Sequence, residues 1–233
     1  MAANNEIGVV QPLAEIGAIC RKQGVLFHTD AAQAAGKIEL DVNAMAIDLL
    51  SISGHKMYAP KGIGALYVRR RPRARLRAEI SGGGQERVIR SGTLPVALAV
   101  ALGEAAEIAQ RELAGEAVRL AALRTDMIMR LRAGLGEVTV NGSLESRVPG
   151  NLNVRFHGVD AEALMAELPE LAISTGSACT SASALGLSDT EAGASVRIGF
   201  GRFTTPGEVN AAADMIVEAV ENQRSGNSAR AAE

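Results

Sequence analysis

The sequence predicts an α/β fold in its first part and a smaller α+β portion behind it, and three observations lead there. Short apolar runs of strand length alternate with helical periodicity at the start of the chain. A long stretch rich in Ala, Leu, Glu and Arg then reads as helix from Leu94 to about Leu135. A second set of short strands and helices fills the remainder.

In order, Pro12 stands at a first helical turn, Leu13, Ile16, Ile19 and Cys20 follow at helical spacing, and Gly24 provides the stop. Val25–Asp30, Ile47–Ser53 and Gly62–Val68 read as strands of a mainly parallel sheet. The long helical stretch is expected to divide in two near Gly115. A domain boundary near residue 113 gives 1–113 as the large part, 114–223 as the small part and 224–233 as a frayed polar tail. Within 114–223 the expected elements are strands at 138–140 and 152–156, a helix near 161–168, a strand at 195–200, and a helix from Pro206 to about Asn222.

Composition excludes several classes. With 47% hydrophobic residues in 233, the chain buries a real core, and a net charge of −2 gives no global case for nucleic acid. The basic run Val68–Arg77 is read as a solvated surface. No apolar run reaches the roughly 18 residues of a membrane span, and the first residues do not resemble a signal peptide. The two cysteines, Cys20 and Cys179, form no CxxC, so neither a disulfide scaffold nor a zinc site is expected, and a reducing, cytoplasmic setting is. His28 and His157 read as structural, with no metal-ligand spacing.

Five constellations carry possible chemistry. Ser53-Gly-His-Lys56 follows an apolar strand, where open α/β sheets bind ligands; a lysine desolvated there would be neutral and able to condense with an aldehyde. From spacing alone, a surface lysine is the commoner meaning of such a tetrapeptide. Asp30-Ala-Ala-Gln33 ends the preceding strand, and Asp30 serves equally well as a buried counter-charge or as a cap. Gly82-Gly-Gly-Gln-Glu86 with Arg90-Ser-Gly-Thr93 offers backbone and donors to a phosphate, although it is no P-loop. Cys179 lies among small residues, Ser174 to Ala184, too weakly packing to anchor a core; that setting favours a reactive thiol on a mobile loop, whereas Cys20 sits on an apolar helix face. Arg197, on a strand, is equally suited to a carboxylate ligand or to a surface ion pair.

Taken together and in order, these residues resemble the cysteine desulfurases of the NifS/IscS type, within the class-V aminotransferases. The matching segments are Asn4–Gln11, His28–Gln33, Ser53–Gly62, Arg90–Pro95, Ser177–Ser183 and Arg197–Thr205. The resemblance implies fold type I and a pyridoxal 5'-phosphate (PLP) enzyme that takes sulfur from L-cysteine, releases L-alanine and leaves a persulfide. It implies Lys56 as the lysine that holds the cofactor and carries the proton, Asp30 on the ring nitrogen, and Gln33 and Asn5 on the ring oxygen. It places Ser53 and His55 on the phosphate, Thr93 on the phosphate of a partner subunit's cofactor in a homodimer, Arg197 on the substrate carboxylate, and Cys179 on the substrate sulfur. Sulfur would pass to an iron–sulfur scaffold or another acceptor.

Two departures from that pattern stand out. The family carries an N-terminal part before its Asn-Asn-Glu segment, with a phosphate-binding turn and a ring-stacking histidine, whereas Met1 here falls where the family has internal sequence. Ala184-Leu-Gly-Leu187 follows Ser183 directly, which shortens the connection behind Cys179. Two other readings accompany the main one: a related PLP lyase acting on selenocysteine or cysteine sulfinate without a nucleophilic thiol, and a non-catalytic fragment.

Overall fold

The computed structural model describes residues 1–175 and 186–230. The chain divides into two compact units, one made of residues 1–3 and 11–113, the other of 4–10 and 114–233.

In the first unit, α1 (Leu13–Gln23) ends where Gly24 takes a left-handed φ of 67°, so that the amides of Gly24 and Val25 bond back to Arg21 and Cys20 carbonyls. Three strands follow: β1 (His28–Asp30), β2 (Leu49–Ser53) and β3 (Gly64–Val68). They pair in the order β1-β2-β3, the first pair parallel and the second antiparallel. The register sets His28, Asp30, Ser51 and Ser53 on one face, while Thr29 and Leu50 on the other are buried. The end of the sheet away from the Asp30 and Ser53 termini is tied by a buried ion pair. Arg69 Nε lies 3.2 Å from Asp48 Oδ1, Asp48 Oδ2 accepts from the Phe27 amide at 3.0 Å, and the Arg69 guanidinium also donates to the Ile47 and Val42 carbonyls and to Asn43 Oδ1. The basic run is therefore not uniformly solvated: Arg70, Arg71, Arg73, Arg75 and Arg77 are exposed, but Arg69 is interior because Asp48 neutralises it.

Helix α2 (Val96–Leu135) is continuous through Gly115, where a division was expected. One glycine costs only about 1 kcal/mol in a helix interior. Side chains just beyond it are anchored: Glu116 pairs with Arg202 at 2.6 Å, and Arg119 donates to the Gly201, Arg202 and Thr204 carbonyls.

The second unit holds β4 (Thr139–Val140), β5 (Asn151–Arg155), α3 (Ala161–Glu167), β6 (Ser174–Thr175), α4 (Asp189–Gly193), β7 (Ser195–Gly199) and α5 (Pro206–Arg230). Its sheet is antiparallel, in the order β4-β5-β7-β6. Leu152, Val154, Val196 and Ile198 form the core face, against Leu123, Met127 and Leu131 of α2, Leu164 of α3 and Ile216 and Val220 of α5. The last helix runs to Arg230 instead of ending near Asn222, because polarity alone does not stop a helix. Gln223 bonds Glu167 and the Asp160 amide, and Arg224 donates to the carbonyls of His157 and Leu135. Among the described residues no helix is long and apolar enough to cross a membrane.

Replacing Arg69 by Met leaves the Asp48 carboxylate buried without its partner, which is expected to cost about 3–5 kcal/mol. Hydrogen exchange of the β1–β3 amides in rising urea measures it, and a loss below about 1 kcal/mol would mean that water replaces the guanidinium. Helix α4 carries an acid-sensitive start. Ser188 and Glu191 form a reciprocal cap, and the Ser188 amide and hydroxyl, then Arg155, hold the Glu191 carboxyl below its usual value of 4.5. A depressed carboxyl stabilises the fold above its unfolded pKa and loses that contribution as pH falls through the folded one. Exchange protection at Ala192 and Ala194 should therefore drop on acidification below about 4.5 and become flat in Glu191→Gln. The same acid response in the variant would assign it to another group.

Candidate active site

The carboxyl ends of β1 and β2 carry a dense set of polar groups in the first unit. Asp30 closes β1, and its Oδ1 accepts from the Ala32 amide at 2.8 Å, so the carboxylate caps the turn that follows while remaining exposed. His28 and Ser51, on the same sheet face, meet at 2.8 Å between Nε2 and Oγ. Ser53 ends β2, and its hydroxyl lies 3.2 Å from His55 Nδ1. Lys56 stands on the short 3-10 turn Gly54–Met57, between buried Gly54 and Met57. The turn is closed by Tyr58 at φ 67°, an uncommon conformation for a bulky residue. The Gly54 amide donates to Ile63 and the Ala59 amide to Gly54, which hold the turn against the start of β3.

Lys56 is exposed, so the desolvated amine expected from the sequence is not found at that position. A more covered lysine lies one segment earlier. Lys37 is half-buried and donates to Gln33 Oε1 at 3.1 Å; burial first, and the neighbouring Lys56 charge second, lower its pKa from the usual lysine value. Sequence reasoning passed over Lys37, although its spacing of four residues from Gln33 was the available signal. Thr93 is exposed on the segment leading to Pro95, where the Gly92 amide donates to Gln85 Oε1 and the Gly84 amide to Ser91 Oγ.

In the second unit, Arg197 lies on the sheet face opposite the core, paired in register with Asn153 and Ser174. Its Nη1 donates to the Asn5 carbonyl at 3.0 Å. The segment Asn4–Val10 is fastened over this polar face. Asn4 Oδ1 caps the amides of Glu6 and Ile7, the amides of Asn151 and Asn153 reach the Glu6 carbonyl, and the buried Arg147 guanidinium donates to the carbonyls of Ile7, Asn141 and Ser143. Burial, then the Arg124 charge, push the Arg147 pKa down to about 10. The Asn5 side chain is exposed. The structure thus brings together Asp30, Gln33, Ser53, His55 and Lys56 in one unit, and Asn5 with Arg197 in the other. Cys179 and the loop expected around it, at 176–185, lie outside the described residues.

Chains of known kind share this sequence and fold. Cysteine desulfurase IscS from Tolumonas auensis is 55% identical over 228 residues, covering 94% of this chain and 56% of the relative. Cysteine desulfurase IscS from Shewanella baltica is 52% identical over 96% of this chain and 57% of the relative. The chain therefore spans little more than half the length of the curated relatives it matches. Among solved structures, a NifS-like protein is 34% identical at a TM-score of 0.87, covering 95% of this chain and 60% of that one. The NifS-like protein of Rickettsia africae follows at 28% and 0.86, over 94% and 60%. The fold is that of these NifS-like proteins. The family model for aminotransferase class V matches residues 1–211, and the chain belongs to that family.

Proposed function

We propose that the protein is a PLP-dependent cysteine desulfurase, in which residues 1–113 serve the cofactor and residues 114–223 carry the sulfur-accepting cysteine. The observation that supports this most is the group set at the ends of β1 and β2: a carboxylate, an amide, a hydroxyl paired with an imidazole, and an exposed primary amine. That donor set fits a phosphorylated pyridine aldehyde. Ser53 and His55 suit its phosphate, Asp30 a protonated ring nitrogen, Gln33 and Asn5 the ring oxygen, and Lys56 the aldehyde carbon. Bound there, the cofactor supplies an electron sink for bonds around the α-carbon of an amino acid.

The chain's own residues do the rest. Arg197 keeps one guanidinium nitrogen on the Asn5 carbonyl, which orients the others for a substrate carboxylate. Lys56 Nζ receives and returns a proton. In overall balance L-cysteine and the Cys179 thiol give L-alanine and a Cys179 persulfide. The C–S bond breaks, an S–S bond forms, and the electron pair and a proton go to the former β-carbon. The persulfide sulfur then passes to an iron–sulfur scaffold or another acceptor protein. The reading includes a cytoplasmic homodimer in which Thr93 reaches the phosphate held by the partner subunit. The names of the curated relatives support the substrate, as does a 35% identical solved structure described as SspA in complex with cysteine, which matches at a TM-score of 0.68.

A visible absorbance band that appears when PLP is added to the chain, and disappears in Lys56→Ala, is the expected first result. No band in the unaltered chain overturns the assignment. Cys179→Ala should retain the band and lose sulfide release from cysteine; undiminished release would point to a lyase that works without a thiol. Arg197→Ala is expected to raise KM for cysteine about 10–100-fold with a smaller change in kcat, the loss of one charge-assisted carboxylate contact.

A further inference from the structure

Lys37 is a half-buried amine that the proposed function leaves unused. It belongs to the turn Ala31–Ile38, where the amides of Ala35 and Ile38 bond back four residues to Ala31 and Ala34. Gln33 and Lys37 are thus one turn apart on one side, and the contact between them measures 3.1 Å. A loose surface pair of this spacing would contribute only a few tenths of a kcal/mol, but this turn is not loose. Ala31, Ala34 and Ala35 are buried, and Gly36 has a φ of 71°. A Cβ at Gly36 would stand 3.1 Å from Ala109 Cβ and 3.3 Å from Met57 Cβ, so this turn packs directly on the residue that follows Lys56. The same small cluster joins Ala35, Met57 and Ala109. The backbone that carries Gln33 and Lys37 is in this way locked to the backbone that carries Lys56.

The chemistry of the contact decides an orientation. An ammonium only donates, so the Gln33 atom it meets is the carbonyl oxygen, and the NH2 edge points elsewhere as a donor. We propose that Lys37 is a positioning residue of the cofactor site, a second amine that fixes the Gln33 amide with its NH2 edge available to the ring oxygen of PLP. The inference rests on the function proposed above, and it adds a residue outside the set that touches cofactor or substrate. Without Lys37, the amide turns over freely and half of its orientations present an oxygen to an oxygen. The Lys56 charge beside Lys37 fits the same picture, since two amines share this locked corner of the unit.

The test has one readout that needs no cofactor and one that does. In 15N spectra of the 233-residue chain labelled at glutamine, identified through its loss in Gln33→Leu, the Gln33 NH2 pair should shift in Lys37→Met and return toward its original position in Lys37→Arg, which keeps a donor. In PLP titrations, Lys37→Met is expected to weaken binding about tenfold, and Lys37→Arg by less than about threefold. The Gln33→Leu/Lys37→Met double variant should bind no more weakly than Gln33→Leu alone, because Lys37 acts through Gln33. Thermal melts of each variant separate lost binding from lost folding. Unaltered Gln33 signals in Lys37→Met overturn the proposal, and so do additive losses in the double variant. If the signals respond to Lys37 but the unaltered chain takes up no PLP, the cofactor assignment fails and the role given to Lys37 fails with it, while the pairing itself stands.

Discussion

The first unit depends on two opposite charges taken out of water. Asp48 and Arg69 are both almost fully covered, and burying either alone would cost several kcal/mol. Their pairing is tolerable because the remaining donors and acceptors are met by backbone: the Phe27 amide on one side, the Ile47 and Val42 carbonyls on the other. Those partners stand at the entry to β1, the entry to β2 and the approach to it, while Arg69 itself follows β3. One electrostatic knot therefore sets the offset of all three strands. Because a slip by one residue moves every side chain to the opposite face, the knot at one end also decides that Asp30, Ser51 and Ser53 share a face at the other.

The second unit uses positive charge differently. Arg147 is buried, yet it donates to backbone carbonyls and an amide oxygen, not to a carboxylate. Its charge is spread over several backbone dipoles, and its lowered pKa reflects the cost of that burial. The gain is positional. Residues 4–10 form only turns and isolated bridges, the bridge of Val9 to Arg147 among them, and side chains from β5, β7 and the loop before β5 hold them. A strand face that would otherwise meet solvent becomes the seat of a short segment, and Arg197 gains a fixed carbonyl to lean on.

Local signals were legible in the sequence and distant ones were not. Gly24 stops α1 and Pro206 opens α5, because both act within one turn of themselves. The order of Asp30, Ser53, His55 and Lys56 along successive strand ends could be read because β1 and β2 run parallel and each ends in a loop. Arg69 could not be separated from the arginines beside it, since its partner lies 21 positions earlier and no pattern marks it. The continuity of α2 through Gly115 depends on Glu116 meeting Arg202, again a remote contact. Lys37 differs from these. Its partner Gln33 is four residues away, and it was missed because an isolated lysine reads as surface until burial is known.

The fastening of residues 4–10 bears on the order in which the protein can form during synthesis. The carbonyl of Ile7 waits for a guanidinium 140 positions later, and that of Asn5 for one 192 positions later. When α1 and the first strands have left the ribosome, this short segment still has none of those partners. It waits for β5, β7 and the loop before β5 to be made, and the contacts it then forms are long-range ones. Such late, non-local closures slow folding and leave the newborn chain open to wrong pairings. A nascent protein of this design would gain from a chaperone that shields this segment until the last sheet is made.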